Sequence, residues 1–133
     1  MKHLYPYSKI IKIVNIIKQY SQLSDNIYTV GSVGRKEEYV SDIDFVITIK
    51  PYKFIAQINL IFELDIAVPN KDAKIYKFVL MDTIKVDLFY TKKKYLAYAI
   101  IHYIGPKEHI IALSKLAHQK GYQLRLTGLH RLK

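Results

Sequence analysis

The sequence predicts an α+β domain, a mixed sheet flanked by helices with a small helical appendix. Three observations predict it. Apolar residues recur at helical spacing over residues 8–20, β-rich segments stand at 42–49, 75–80 and 84–90, and two further helical stretches meet at Gly105-Pro106. With 133 residues, half of them hydrophobic, the chain is long enough for one core and too short for two comfortable domains.

The first helix, SKIIKIVNIIKQY, places Ile10, Ile13, Val14, Ile17 and Tyr20 on one side, with Ser8 as its expected cap. Ser24-Asp25-Asn26 breaks it, and IYTV enters as a short strand. Gly31-Ser32 reads as a turn, followed by a polar stretch with little periodicity. DIDFVITI (42–49) is the next strand, stopped by Pro51. Residues 52–64 read as helix first, with strand as the alternative for their later part, and VPNKD (68–72) is a turn cluster. IYKFVL (75–80) and IKVDLFY (84–90), separated by Met81-Asp82-Thr83, form an expected antiparallel hairpin. A helix over about 93–101, a break at Gly105-Pro106 and a helix at about 107–119 follow, with Gly121 as C-cap and YQLRL as a strand. There are no repeats, and Gly105-Pro106 is the only plausible boundary.

Eighteen Lys and three Arg against eleven acids leave a net charge of +10, which points to a polyanionic partner, nucleic acid being the commonest. A Lys-, Ile-, Tyr- and Asn-rich coding bias is the bland alternative. The absence of Cys excludes disulfides, thiolate nucleophiles and Cys-ligated zinc, and fits a reducing intracellular compartment. No apolar run approaches the ~20 residues of a membrane span, so no membrane partner is expected. MKHLYPYSKIIKIV lacks the cleavage pattern of a signal peptide.

In a strand, residues two apart share a face. Asp42 and Asp44 therefore project together, while Ile43 and Phe45 point into a core. Asp87 sits between apolar neighbours in VDLF, and if its strand pairs beside the first, three carboxylates converge on one spot. Such a cluster is costly unless it binds cations or shares protons, and oxygen-only ligands select hard cations such as Mg²⁺. Two bridged ions of that kind serve phosphoryl displacement. Gly31 lets backbone approach a phosphate, the Ser32 hydroxyl adds a donor, and Arg35 adds a charge-assisted contact. Each signal alone is weak: D-x-D more often caps a loop, a lone strand Asp more often meets a lysine, and Gly-Ser is more often only a turn. The conjunction GS-x2-R-x6-D-x-D on a strand, with a later Asp between apolar residues, is much rarer.

That conjunction resembles the family X DNA polymerases, whose catalytic part has a polymerase beta-like nucleotidyltransferase fold. VGSVGRKEEYVSDIDFVI is similar to their Gly-Ser, Arg and two-aspartate segment, and IKVDLF to their third-aspartate strand. HYIGP (102–106) is similar to their palm-to-thumb junction, and KLAHQKGYQLRLTGL (115–129) to the thumb segment beyond it. The order holds across residues 30–129. The resemblance implies a palm over 1–104 and a short, truncated thumb over 105–133, since relatives continue past Leu129-His130-Arg131-Leu132-Lys133. It implies that Asp42 and Asp44 hold two metal ions, Mg²⁺ with Mn²⁺ as substitute. Asp87 would bind the catalytic ion and help to deprotonate a primer 3′-hydroxyl. It further implies that Gly31, Ser32 and Arg35 meet the triphosphate, while His102, Tyr103 and Gly105 line the sugar and base. Gly34 departs from the family, which often carries a second Arg there. Ile110 and Ser114 stand where polar or basic groups usually face the new base pair.

The implied activity is DNA-directed DNA synthesis, with primer-template or gapped DNA and deoxynucleoside triphosphates as partners, in short-gap repair. With the composition, the resemblance implies a viral enzyme acting in the host cell or virion. Two alternatives stand beside it: a minimal nucleotidyltransferase modifying protein or RNA, whose GS-x-small-R pattern Gly34 fits, and a non-catalytic DNA-binding paralogue. Lys92-Lys93-Lys94 reads equally as a nucleic-acid contact or a solvated loop. His109 and His118 read as surface residues, and Glu37, Glu38 and Asp82 as loop acids with no partner in the motif pattern.

Overall fold

In the computed structural model, which describes residues 3–132, the chain begins with a two-residue strand β1 (Tyr5–Pro6), helix α1 (Tyr7–Lys18) and a helical turn α2 (Ser21–Ser24). Then come β2 (Ile27–Val30), the short helix α3 (Gly31–Gly34), β3 (Tyr39–Val40), β4 (Asp42–Ile47) and α4 (Pro51–Phe62). The hairpin β5 (Ile75–Leu80) and β6 (Ile84–Tyr90) leads through a 3-10 turn (Lys93–Tyr95) into α5 (Leu96–Ile104). Helix α6 (Lys107–Gln119) and a second hairpin, β7 (Tyr122–Arg125) and β8 (Gly128–Arg131), complete the chain.

The main sheet has the order β2-β4-β6-β5, with β4 and β6 parallel and both outer pairs antiparallel, the mixed α+β arrangement predicted. Its strands alternate cleanly. Ile43, Phe45 and Ile47 of β4 and Ile84, Val86 and Leu88 of β6 are buried on one face. There they meet Ile10, Val14 and Ile17 of α1 and Phe54, Ile55 and Ile58 of α4, with the Phe45 and Phe54 rings 6.2 Å apart. Each such side chain contributes about 1.5–3 kcal/mol by leaving water. The opposite face is covered only in part: α5 lays Ala99 over Val30 and Val46, with Tyr103 and Ile104 packed around them.

Several boundaries differ from the sequence expectation. Ser8 is not the cap of α1; Pro6 holds that position, and the Tyr7 N–H donates to the Glu38 carbonyl at 2.9 Å, so the β1–β3 bridge supplies the entry. Tyr20 falls beyond the helix and packs edge-on against Phe62, ring centres 5.6 Å apart. Gly31-Ser32 opens a helix rather than a simple turn. β4 ends at Ile47, and Pro51 starts α4, where its missing N–H costs nothing. No strand follows that helix: Glu63 turns left-handed (φ 53°, ψ 45°), and the Asn59 amide clamps both backbone groups of Ile66 at 2.7 and 2.9 Å. The fifth helix runs to Ile104 instead of ending near residue 101. YQLRL becomes the first arm of a hairpin whose return strand the sequence did not announce. Lys133, the last residue of the expected thumb, lies outside the described residues, as do Met1 and Lys2 at the start of the expected palm.

Candidate active site

The alternation that buries Ile43 and Phe45 turns Asp42, Asp44 and Val46 to the other face of β4. Val46 is sealed under α5; the two aspartates lie toward the uncovered end. Parallel pairing sets Asp44 directly beside Asp87, and the β5–β6 hairpin sets Lys77 on the far side of Asp87. Val30, Asp44, Asp87 and Lys77 thus form one row across the four strands. The neighbouring row holds Asp42, Lys85 and Val79. Asp42, Asp87, Lys77 and Lys85 line a cleft of about 380 Å³ with Phe78 and Val79.

Asp44 and Asp87 are the interacting pair. Burial pushes the Asp44 carboxyl up to about 7, reinforced by the charge of Asp87, a hydrogen bond with Asp87 and the charge of Asp42, and opposed by Lys77. Asp42 contributes through its charge: among the described residues no three acidic, His or Cys side chains gather closely enough to form a metal cage. Asp44 and Asp87 are hydrogen-bonded, and Asp42 acts on Asp44 from the same end of the face. The donor set still fits a hard divalent cation, being oxygen-only with two carboxylates held side by side against their mutual repulsion.

The residues around the carboxylates are placed by close backbone approach. Gly31 has φ +64°, and a Cβ there would fall 2.3 Å from Oδ2 of Asp44, so backbone forms one wall of the carboxylate. Ser32 follows, half-buried in α3. At Gly34, a Cβ would meet the Thr29 carbonyl oxygen at 2.6 Å and Ile104 Cδ1 at 2.9 Å, so this packing has no space for a side chain.

Arg35 is already engaged. Nη1 donates to the Ile104 carbonyl at 2.6 Å, and Nη2 pairs with the Glu37 carboxylate. Nη1 also lies 2.4 Å from where a Gly105 Cβ would stand, and Gly105 has φ +72°. Arg35 thereby ties α3 to the end of α5. Glu37, which the motif pattern leaves out, is its counterion, and nothing in the local spacing reveals that the other anchor is 69 residues away.

Successive helical residues point about 100° apart; the His102 ring still meets the Tyr103 ring edge-on, centroids 5.3 Å apart, but the two have different further neighbours. Tyr103 stacks on Phe89 (centroids 4.1 Å, planes 14° apart), one row from Asp87 on the same face, and burial raises its phenol pKa. His102 instead lines a groove of about 510 Å³ with Ile110 and Ser114 of α6. Sequence reasoning missed Lys77, Lys85 and Phe89. The signal was present, because a hairpin turning at Asp82 must pair Lys77 with Asp87.

The sequence pattern of the nucleotidyltransferase domain family matches residues 10–104. The repair DNA polymerase X of African swine fever virus is similar over 114 residues, at 29% identity for a warthog isolate and 30% for a tick isolate from South Africa. Those stretches cover 80% of this chain and 65% of the relatives, so the chain spans about two thirds of their length at most. Among solved structures, Leishmania infantum polymerase beta in a ternary P/T complex superposes with a TM-score of 0.75 at 16% identity, covering 98% of this chain and 59% of that one. The same protein in a ternary gap complex gives 0.74 at 18% identity, covering 98% and 52%. These neighbours show a polymerase beta-like fold, in agreement with the family X resemblance. Since the matched pattern runs from α1 to the last residue of α5, through every strand that carries a carboxylate, the chain belongs to the nucleotidyltransferase domain family.

Proposed function

We propose that this chain is the nucleotidyl-transfer part of a family X type DNA polymerase, extending a primer 3′-hydroxyl in gapped DNA. The observation that carries the reading is the Asp44–Asp87 pair, set side by side at the open end of one sheet face with Gly31 backbone against it. The names of its sequence relatives and the ternary complexes of its structural neighbours support DNA as the substrate.

In the reaction, the 3′-oxygen attacks the α-phosphorus of a deoxynucleoside triphosphate and the bond to the departing pyrophosphate breaks. Asp87 draws the hydroxyl proton. Ser32 and Arg35 hold the triphosphate, Arg35 by exchanging Glu37 for phosphate oxygens. Tyr103, braced on Phe89, and Gly105 border the sugar and base. His102, edge-on to Tyr103 at 5.3 Å, borders the nucleotide from the α5–α6 groove. Asp42, Asp44 and Asp87 would hold divalent ions, Mg²⁺ or Mn²⁺, which when bound neutralise charge developing on the transferred phosphoryl group. Residues 1–104 serve as palm, and α6 with the β7–β8 hairpin as part of a thumb.

Template-directed addition to a one-nucleotide gap, with each deoxynucleotide supplied separately, tests the reading; incorporation that follows the template base is expected. Gly34 favours a second reading, transfer to protein or RNA, because that position admits only the small residue of minimal nucleotidyltransferases. Labelling of protein or RNA with no gap filling would select it.

A further inference from the structure

Far from the carboxylates, the opposite end of the sheet gathers five lysines. Lys50 follows β4, Lys53 lies in the first turn of α4, and Lys92, Lys93 and Lys94 follow β6. The pieces are contiguous: the Thr91 N–H donates to the Ile47 carbonyl at 2.9 Å, the Lys53 N–H to the Lys50 carbonyl at 3.0 Å, and Lys50 Nζ sits 5.0 Å from the centre of the Tyr90 ring. From Asp44 to Ile47 and from Asp87 to Tyr90 there are three residues each, about 10 Å at the rise of a strand.

Three features separate this patch from an ordinary solvated surface. Neither residues 47–62 nor 88–107 contain an acid, and among the described residues none of the five lysines is in an ion pair. Three of the ammoniums are held over aromatic rings: Lys50 on Tyr90, Lys53 on Tyr52 at 6.0 Å, and Lys94 on Tyr95 at 5.0 Å. The charges also crowd where α4 and α5 begin, with no acid in the first turn of either, a placement that costs the helices stability. Helix stability therefore does not account for their position.

We infer that Lys50, Lys53 and Lys92–Lys94 form a second nucleic-acid surface that grips the phosphodiester backbone of duplex DNA away from the reacting end. The choice of DNA over another polyanion rests on the proposed function above. The half-buried rings of Tyr52, Tyr90 and Tyr95 pre-position ammoniums rather than stack bases, so recognition is independent of sequence.

The test is a salt titration of duplex DNA binding by fluorescence anisotropy, without nucleotide or divalent ions, on the full chain. Replacing Lys92, Lys93 and Lys94 together by Gln lowers the slope of log K against log salt by about 2–3, at about 0.9 for each phosphate no longer neutralised. The control triple Lys9→Gln, Lys12→Gln, Lys71→Gln removes the same charge from elsewhere and changes the slope by less than about 1. Thermal melts confirm that both variants fold. Equal slopes for the two triples, or no change in either, overturn the inference, as does displacement of duplex DNA by single-stranded RNA at lower concentration than by duplex competitor. A drop in slope with no gap filling by the parent chain would retain this surface and reject the polymerase reading, so the two failures are distinguishable.

Discussion

A Cβ on Gly31 would stand 2.3 Å from Oδ2 of Asp44, so the backbone of one residue is the wall that seats the carboxylate of the other. Gly31→Ala must therefore displace either the start of α3 or the Asp44 side chain, at a φ of +64° that already disfavours alanine. The expected outcome is a loss of about 1–3 kcal/mol in stability and about 100-fold in turnover from misplacement of the carboxylate. Thermal melts and single-turnover assays on one preparation check both.

The raised carboxyl of Asp44 makes stability depend on pH in a defined direction. The folded chain keeps a proton that the unfolded chain releases above about 4. Stability is thus fullest below that value and declines as pH rises to about 7, where the folded carboxyl ionises. Without divalent ions, the melting temperature should fall across this window by about 5 °C. Asp44→Asn should abolish the fall, and millimolar Mg²⁺ should restore the parent's stability at pH 8. A flat profile in the parent would show that folding does not raise the Asp44 carboxyl.

Glu37 occupies the guanidinium that the triphosphate is proposed to use. Exposed ion pairs of this kind contribute up to about 1 kcal/mol. Glu37→Gln should lower the KM for the incoming nucleotide about twofold to fivefold with kcat unchanged. A rise in KM would mean instead that Glu37 orients Arg35 for binding.

Gly34 cannot be converted to the second arginine common among family X polymerases. Its neighbour at 2.6 Å is a main-chain oxygen, which has no room to yield, and Ile104 closes the other side. Gly34→Arg and even Gly34→Ala should lower the melting temperature by about 5 °C or more and bring no gain in nucleotide affinity. Wild-type stability in Gly34→Ala would show that α5 packs on α3 more loosely.

What the sequence revealed of this site is what period-two alternation and hairpin symmetry encode. Asp42 and Asp44 share a face because Ile43 and Phe45 need the core, and Asp87 joins them because Val86 and Leu88 need it too. The same arithmetic across the Met81–Thr83 turn places Lys77 beside Asp87, a step the pattern allowed but composition obscured, since lysine occurs everywhere in this chain. Arg35 was legible as a residue and not as a bond. Its anchors, Glu37 and the carbonyl of Ile104, depend on how α5 returns over the sheet, which no local spacing records. For the same reason the sequence could not tell apart the neighbours of His102 and Tyr103, which touch edge-on while one lines the α5–α6 groove and the other stacks on Phe89. The β8 strand escaped notice because only its pairing with β7 makes it one.

The central claim is that the carboxylates on β4 and β6 perform nucleotidyl transfer. Its most direct test is the single-turnover rate of gap filling by the parent chain, Asp87→Asn and Asp44→Asn, with DNA binding measured in parallel. The account predicts templated addition by the parent, a loss of about a thousandfold or more in each variant, and DNA binding retained in all three. Equal rates in the parent and in Asp87→Asn would contradict it.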